Sequence, residues 1–469
     1  MLAAPTPALL DALAARLGPH GFSRDPHELE PYLTDWRGRY HGKAAALLSP
    51  ANRDEVVAIV KACADAKVAI VPQGGNTGMV GGATPDATGG AVVLSLKRMR
   101  AVRTIDVAAD LAICEAGVVL ADLHAKAEDL GRRFPLSLGA KGSATIGGLC
   151  STNAGGVQVL RFGTMRSLVH GVEAVLPDGS LFEDLQPLKK DNRGYSISQL
   201  LIGAEGTLGV ITAASLRLYP KIGARTVAWI GLASPENALI LLRHLERKLP
   251  ERIESFELVP KSALDLVLQH IPNVQAPLAQ PHPWNVLVEA TVPDGSPAPD
   301  VASALEDALD LIEDAAIAAN ETQAEGMWRI RESISEAEKK DGPAAKHDIS
   351  VPVSAMPGFV VRGAADIEKR FPGTRVNAFG HLGDGNIHFN VRAPVGAPKD
   401  WVDTSSHPIT EHVHDLVTQA GGSISAEHGI GQMKRDELAR LSDPARMHAL
   451  RAIKTALDPH GIMNPGKLL

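Results

Sequence analysis

Two short segments carry side chains that can hold a metal or move a proton. In HLGDGNIHFN, residues 381–390, Asn386, His388 and Asn390 alternate with Ile387 and Phe389. On a strand these three polar side chains share one face. The Gly383-Asp384-Gly385 turn can fold His381 back towards His388, and two imidazoles held together are half of a metal site. A polar sheet surface with two solvated histidines fits the same residues, since His is often structural. In SAEHGIG, residues 425–431, Glu427 and His428 are adjacent, so one can ligate while the other faces a substrate. Gly429 and Gly431 permit close backbone approach. A loop before a helix, with Glu427 as a helix-start acid, is the plainer alternative. Two His and one Glu with an open position is the ligand set of a catalytic zinc site.

A third set lies in MWRIRESISEAEKKDGPAAKHDISVPV. Arg331 and Ser335 are spaced i, i+4, which puts them on one helical face. The Asp341-Gly342-Pro343 turn ends that helix. Ile349, Val351 and Val353 then alternate with Asp348, Ser350 and Pro352, which predicts a strand, with Lys346 just before it on the polar parity. A helix and a strand can thus aim Arg331, Ser335 and Lys346 at one carboxylate, Arg as a planar fork and Lys as a point charge. Glu332, Glu336 and Lys339 belong to a solvated face.

Three glycine-rich segments precede these. PQGGNTGMVGG, residues 72–82, follows a β-branched stretch that reads as a strand. PLSLGAKGSATIGGLCSTNAGG spans 135–156 and LLIGAEGTLGVIT spans 200–212. Such loops bring backbone N–H groups close to a ligand without intervening side chains. None fits the phosphate-loop pattern or a nicotinamide-type GxGxxG. Three in one half of the chain suggest one long cofactor touched at several points; three unrelated turns are the bland alternative.

The elements that position these segments alternate. Residues 52–67 read as a helix with Val56, Ile59, Val60 and Cys63 on one face. Residues 68–71, 91–96, 112–116 and 172–176 read as strands. Beyond residue 222 come a strand at 226–232, a helix at 235–248, and strands at 253–258 and 285–291. Residues 301–340 read as mostly helical, and 407–469 as largely helical. The expected organisation is α+β. An N-terminal helical segment covers 1–40 and a cofactor-binding domain 41–221. An α+β substrate, or cap, domain covers 222–406, and a helical C-terminal segment covers 407–469.

The chain has 469 residues, a formal net charge of −7 and 45% apolar content, enough for two or three domains with real cores. Acidic residues outnumber basic ones and no basic stripe is visible, so nucleic-acid binding is not expected. No apolar run approaches the ~18 residues of a membrane span. At the N-terminus Leu9, Leu10, Leu13 and Leu17 recur at helical spacing, with Thr6-Pro7 as cap and Gly18 as stop, an amphipathic surface helix and not a signal peptide. Cys63, Cys114 and Cys150 form no spaced pair, which fits a reducing cytoplasm.

PQGGNTGMVGG, GAKGSATIGGLCSTNAGG and GAEGTLGVIT resemble the FAD-binding domain of the vanillyl-alcohol oxidase and p-cresol methylhydroxylase superfamily. The resemblance runs over residues 40–469 and is nearest the branch of D-2-hydroxyglutarate and D-lactate dehydrogenases. It implies a two-part FAD domain, with FAD against Pro72, Gly74, Gly75, Asn76, Thr77, Gly78 and Gly82. The second segment would contribute Gly139, Gly142, Ser143, Gly147, Gly148, Asn153, Gly155 and Gly156. The third would contribute Glu205, Gly206, Gly209 and Ile211. The terminal MNPGKLL, through Asn464, would return to the flavin. Gly74, Gly75 and Gly78 are expected against the pyrophosphate. The first loop lacks the His to which some relatives attach flavin, so FAD is expected to be non-covalent.

The resemblance further implies His381, His388 and Glu427 as ligands of a divalent metal, zinc in most relatives. It implies Arg331, Ser335, Lys346 and Asn390 as substrate contacts, with His428 at the substrate as proton acceptor. The expected reaction is oxidation of a D-2-hydroxy acid, with the C2 hydrogen passing to flavin as hydride. Lactate-type relatives usually lack the Lys, so D-2-hydroxyglutarate is ranked above D-lactate, with D-malate close behind. The expected acceptor is electron-transfer flavoprotein or a quinone-linked carrier, and a homodimer is possible. A flavin oxidase using oxygen is an alternative. A metal-dependent hydrolase with the same ligands would not need three Gly segments, and a flavin-free binding protein would be colourless.

Overall fold

The N-terminal helix forms over Pro7–Leu17. The Thr6 hydroxyl accepts the Leu9 N–H, and Gly18 ends the helix at φ 67. Its buried Leu10, Leu13 and Leu17 pack with Val56, Ile59, Val60 and Cys63 of the helix Arg53–Ala66, whose N-cap is Asn52. The computed structural model describes residues 2–469. They divide into two units. The first comprises the chain up to Gly156, then Gly163–Pro220 and Glu427–Leu469; the second comprises Val157–Phe162 and Lys221–Ala426. The expected boundaries at 221/222 and 406/407 compare with changes of unit at Pro220/Lys221 and Ala426/Glu427.

The first unit holds two main sheets. One orders its strands Phe22–Ser23, Ala46–Leu48, Ala91–Ser95 and Ala69–Gln73, the last three parallel. Ala69–Gln73 is an edge strand, which lets it carry Pro72 without losing a ladder donor. The other sheet is antiparallel in the order Val102–Asp106, Leu111–Glu115, Val210–Arg217, Val169–Val175 and Leu181–Glu183. The strands read from sequence at 112–116 and 172–176 therefore begin slightly earlier than expected. All three cysteines are buried free thiols.

The second unit is built on one seven-stranded antiparallel sheet. In chain order its strands are β1 (Ile222–Leu232), β2 (Ile253–Pro260), β3 (Trp284–Pro293), β4 (Asp314–Ile317), β5 (Ala344–Ser350), β6 (Arg375–His381) and β7 (Asn386–Arg392). Their spatial order is β4-β1-β3-β2-β6-β7-β5. Six helices matter here: α1 (Pro235–Lys248), α2 (Lys261–His270), α3 (Glu321–Glu332), α4 (Ile334–Asp341), α5 (Met356–Arg370) and α6 (His407–Gln419). Apolar side chains of α1, α5 and α6 cover one face with Ile230, Phe256, Val288, Ile387 and Phe389. Those of α2, α3 and α4 cover part of the other with Trp229, Val259, Leu287 and Phe379.

Three expectations are refined. Residues 301–340 are mostly helical as expected, in Val301–Glu306, α3 and α4, but β4 interrupts them, an edge strand too short and Ala-rich to show a period. The strand expected at 348–353 lies instead at Ala344–Ser350, so Lys346 is inside it. Pro352 has no N–H to give a ladder, and Val353–Ala355 is a 3-10 turn. The stretch 407–469 contains three helices, His407–Gln419, Arg435–Leu441 and Pro444–Leu457, separated by irregular chain.

Candidate functional site

In the first unit the three glycine segments converge. A Cβ at Gly75 would meet the Ser143 carbonyl oxygen at 2.0 Å, one at Gly74 the Thr145 hydroxyl at 2.3 Å, and one at Gly206 the Pro72 ring at 3.1 Å. Gly74 and Gly75 are thus small because one loop lies on the next. In this loop Asn76 and Gly81 carry positive φ, at 51 and 67, and Gly74, Gly75 and Gly78 do not. By contrast, Cβ atoms at Gly78, Gly139 and Gly142 would meet no atom within 4 Å. Among the described residues, buried Thr145 Oγ1 and Asn464 Oδ1 lack a hydrogen-bond partner. Open glycines and unpartnered buried oxygens within one unit fit a long polar ligand with its own donors.

Other expected cofactor residues are committed to this scaffold. Asn76 Nδ2 donates to the Thr34 carbonyl at 2.9 Å. Asn153 sits at φ 50 and its Oδ1 accepts the Arg166 N–H. Cβ atoms at Gly147 and Gly156 would strike Ala116 and the Ser137 carbonyl. The Glu205 carboxylate accepts the Ile430 and Gly431 N–H groups, each at 2.7 Å, although burial pushes its pKa up. Asn464 Nδ2 bridges the Gly82 and Glu205 carbonyls at 2.9 and 2.7 Å. For Thr77, Ser143, Gly148, Gly155, Gly209 and Ile211 the structure supplies position within the same segments.

In the second unit, register aligns a polar strip on the same sheet face that α2, α3 and α4 pack against. Lys346, Asn390 and Asn377 form one row; Asp348, His388 and Phe379 the next; Ser350, Asn386, His381 and Glu257 the last. The β6–β7 turn folds as expected, with the Asp384 and Gly385 N–H groups on the His381 carbonyl. The His381 and His388 ring centroids stand 5.6 Å apart. Glu427 directly follows Ala426, whose N–H lies 3.4 Å from the Asp348 carbonyl of β5, so the peptide bond carries Glu427 on from this sheet edge. One ligand atom each from His381, His388 and Glu427 lies within 4.8 Å of the others. Nearby, Asn386 Oδ1 is buried without a partner among the described residues. This donor set, two imidazoles and a carboxylate, fits zinc. His428, half-buried, follows Glu427 in the chain.

The substrate contacts expected from sequence have partners that sequence reading missed. Arg331 Nε and Nη2 each lie 2.8 Å from Glu257 Oε2, and its guanidinium stacks over Phe379. Glu257 Oε1 accepts His381 Nδ1–H at 2.6 Å. Burial alone would push this carboxyl up, but the facing His381 and Arg331 hold it at about 2. Glu338, also buried, accepts Asn390 Nδ2 at 2.7 Å and Asn377 Nδ2 at 2.8 Å, with Lys346 Nζ at 3.3 Å. Arg331 and Ser335 do not share an uninterrupted helix face: α3 ends at Glu332 and α4 begins at Ile334, leaving Arg331 buried and Ser335 exposed. The signals for the two glutamates were a charge inside the apolar run of β2, and Glu338 standing seven residues after Arg331.

Residues 223–468 match the family model described as FAD linked oxidases, C-terminal domain, and residues 44–184 match that of an FAD binding domain. A mitochondrial D-2-hydroxyglutarate dehydrogenase of Arabidopsis thaliana is 37% identical over 460 residues, 97% of this chain and 80% of that protein. A putative mitochondrial D-lactate dehydrogenase of Schizosaccharomyces pombe is 36% identical over 461 residues, 95% of this chain and 85% of that protein. Among solved structures, p-cresol methylhydroxylase with substrate bound shares the fold at a TM-score of 0.76 and 15% identity, covering 98% of this chain and 96% of that one.

Proposed function

This chain belongs to the FAD-linked oxidase family and is an FAD-dependent oxidoreductase, and from that premise we propose that it oxidises a D-2-hydroxy acid to the 2-oxo acid. D-2-hydroxyglutarate is the proposed substrate, ahead of D-malate and D-lactate. The observation that carries this reading is the approach of His381, His388 and Glu427 within 4.8 Å, on a strip that also bears Lys346 and Asn390. When bound, FAD supplies the hydride acceptor and a divalent metal, zinc by donor set, supplies Lewis acidity at the substrate oxygens.

The chain's own side chains bind and orient. Arg331, with Nε and Nη2 on Glu257, offers Nη1 to one carboxylate, and Lys346 offers its charge to a second. Asn390 and Ser335 add polar contacts, and His428 takes the proton of the C2 hydroxyl. In the first unit, backbone around Gly78, Gly139 and Gly142 receives the cofactor, non-covalently. Electrons leave to electron-transfer flavoprotein or a quinone-linked carrier. No helix among the described residues is long and apolar enough to cross a membrane. Three unpaired thiols suit a reducing compartment, which we take as the cytoplasm, with a homodimer as the assembly to test.

The test is anaerobic reduction of the purified yellow protein by a panel of D- and L-2-hydroxy acids. The expected result is bleaching of the flavin by D-2-hydroxyglutarate at the highest kcat/KM and none by the L-enantiomers. A flavin that no 2-hydroxy acid bleaches overturns the assignment.

A further inference from the structure

We propose that Glu257 is a positioning residue that joins the metal site to the substrate-carboxylate site; this rests on the metal reading above. Glu257 lies in the middle of β2, fully buried, opposite His381 in register. Its two oxygens serve two different expected groups. Oε1 takes His381 Nδ1–H at 2.6 Å, and Oε2 takes Arg331 Nε and Nη2, each at 2.8 Å. A carboxylate on Nδ1 fixes the imidazole tautomer, so Nε2 is the nitrogen turned to a metal, and it raises the basicity of that nitrogen. The same carboxylate pins two of the three guanidinium nitrogens and so aims Nη1. The Phe379 ring, 5.0 Å from the guanidinium carbon, closes the remaining freedom.

The position tolerates little else. A buried charge on a central strand persists only where it is paired on every side. Here the pairing is shared between a proposed metal ligand and a proposed substrate contact, 124 and 74 residues away in the chain. One carboxylate thereby fixes the distance between them. A neutral amide cannot replace it, because Gln has one acceptor oxygen for two donors. Turned one way, its NH₂ faces His381 Nδ1 and selects the wrong tautomer; turned the other, it faces Arg331.

The test is titration of the zinc-loaded flavoprotein with a chromophoric chelator, together with KM and kcat on D-2-hydroxyglutarate. Glu257→Gln should release zinc at about ten- to a hundredfold lower chelator concentration. It should also raise KM, while the flavin absorbance per chain stays at the wild-type level. Glu257→Asp keeps both oxygens and the charge, so it should recover part of the zinc affinity, and it carries the test where the Gln variant fails to accumulate. If both variants hold zinc and substrate as wild type does and only Tm falls, Glu257 is a packing residue and the proposal is overturned. A wild-type protein that binds no zinc removes the metal reading, and this proposal with it.

Discussion

Lys346 Nζ stands 3.3 Å from the buried carboxylate of Glu338. That carboxylate also receives the Asn390 and Asn377 side-chain amides, so Lys346 reaches any substrate as a cation already partly neutralised. A five-carbon dicarboxylate brings a second charge that D-lactate lacks, and desolvating it without a partner is costly.

Lys346→Ala should therefore lose selectively on dicarboxylates. A charge-assisted contact contributes about 1.5–3 kcal/mol, or roughly 10- to 150-fold in kcat/KM. Sharing with Glu338 points to the lower end, about tenfold. The measurement is kcat/KM for D-2-hydroxyglutarate, D-malate and D-lactate on wild type and variant. Equal values for all three on both proteins would dismiss the dicarboxylate reading.

Removing a proposed ligand should separate metal from flavin. His381→Ala, His388→Ala and Glu427→Ala are each expected to abolish turnover while FAD stays bound, because different segments hold the two. Prolonged chelation should inactivate the enzyme and Zn²⁺ or Mn²⁺ restore it. His428→Ala should slow flavin reduction more than it lowers metal content by elemental analysis. Parallel loss of both would make His428 a ligand.

Much of this was legible locally. The helix Pro235–Lys248 was readable to the residue because Ser234 caps it, Pro235 opens it and its apolar positions keep a helical period. The His381–His388 hairpin was readable because Gly383-Asp384-Gly385 signals a turn and alternation signals a strand. Glu257 and Glu338 were not, because their partners are remote: Glu257 meets His381 across 124 positions, and Glu338 meets Asn390 across 52. Spacing can put residues on a face; it does not say which faces meet. Glycine roles blurred for the same reason, since Gly75 is required by a neighbouring loop and Gly78 lies open.

That difference can be measured. Gly75→Val drives a side chain into the Ser143 carbonyl, so both Tm and flavin content should fall. Gly78→Val meets no protein atom within 4 Å of its Cβ, so the unfolding free energy of the flavin-free protein should stay within about 0.5 kcal/mol of wild type, as for ordinary surface changes. Its flavin absorbance should nevertheless drop, because the added methyls occupy the proposed cofactor space. Full flavin content in Gly78→Val would move the cofactor away from this loop.

The last prediction concerns acid stability of the first unit. Glu173 is fully buried in the strand Val169–Val175 and accepts from Arg103 Nη1 and Nη2 at 3.1 and 3.0 Å, Arg53 Nη1 at 2.8 Å and Thr212 Oγ1 at 2.8 Å. Burial pushes its carboxyl up, but these hydrogen bonds outweigh it and the net shift is below the ordinary 4.5. The unfolded chain therefore takes up this proton at a higher pH than the folded one. The stabilisation is fully present above about pH 4.5 and is lost as pH falls through the lower folded value. Glu173→Gln removes the charge but keeps the shape. With both arginines partly exposed, the loss at pH 7 should be about 1.5–3 kcal/mol, less than for a fully buried pair. Tm of wild type and variant should differ most at pH 6–7, by about 2–4 °C per kcal/mol, and converge as pH drops below about 4. A gap that stays constant from pH 7 to pH 3.5 would mean that the Glu173 charge does not contribute, and that only packing was disturbed.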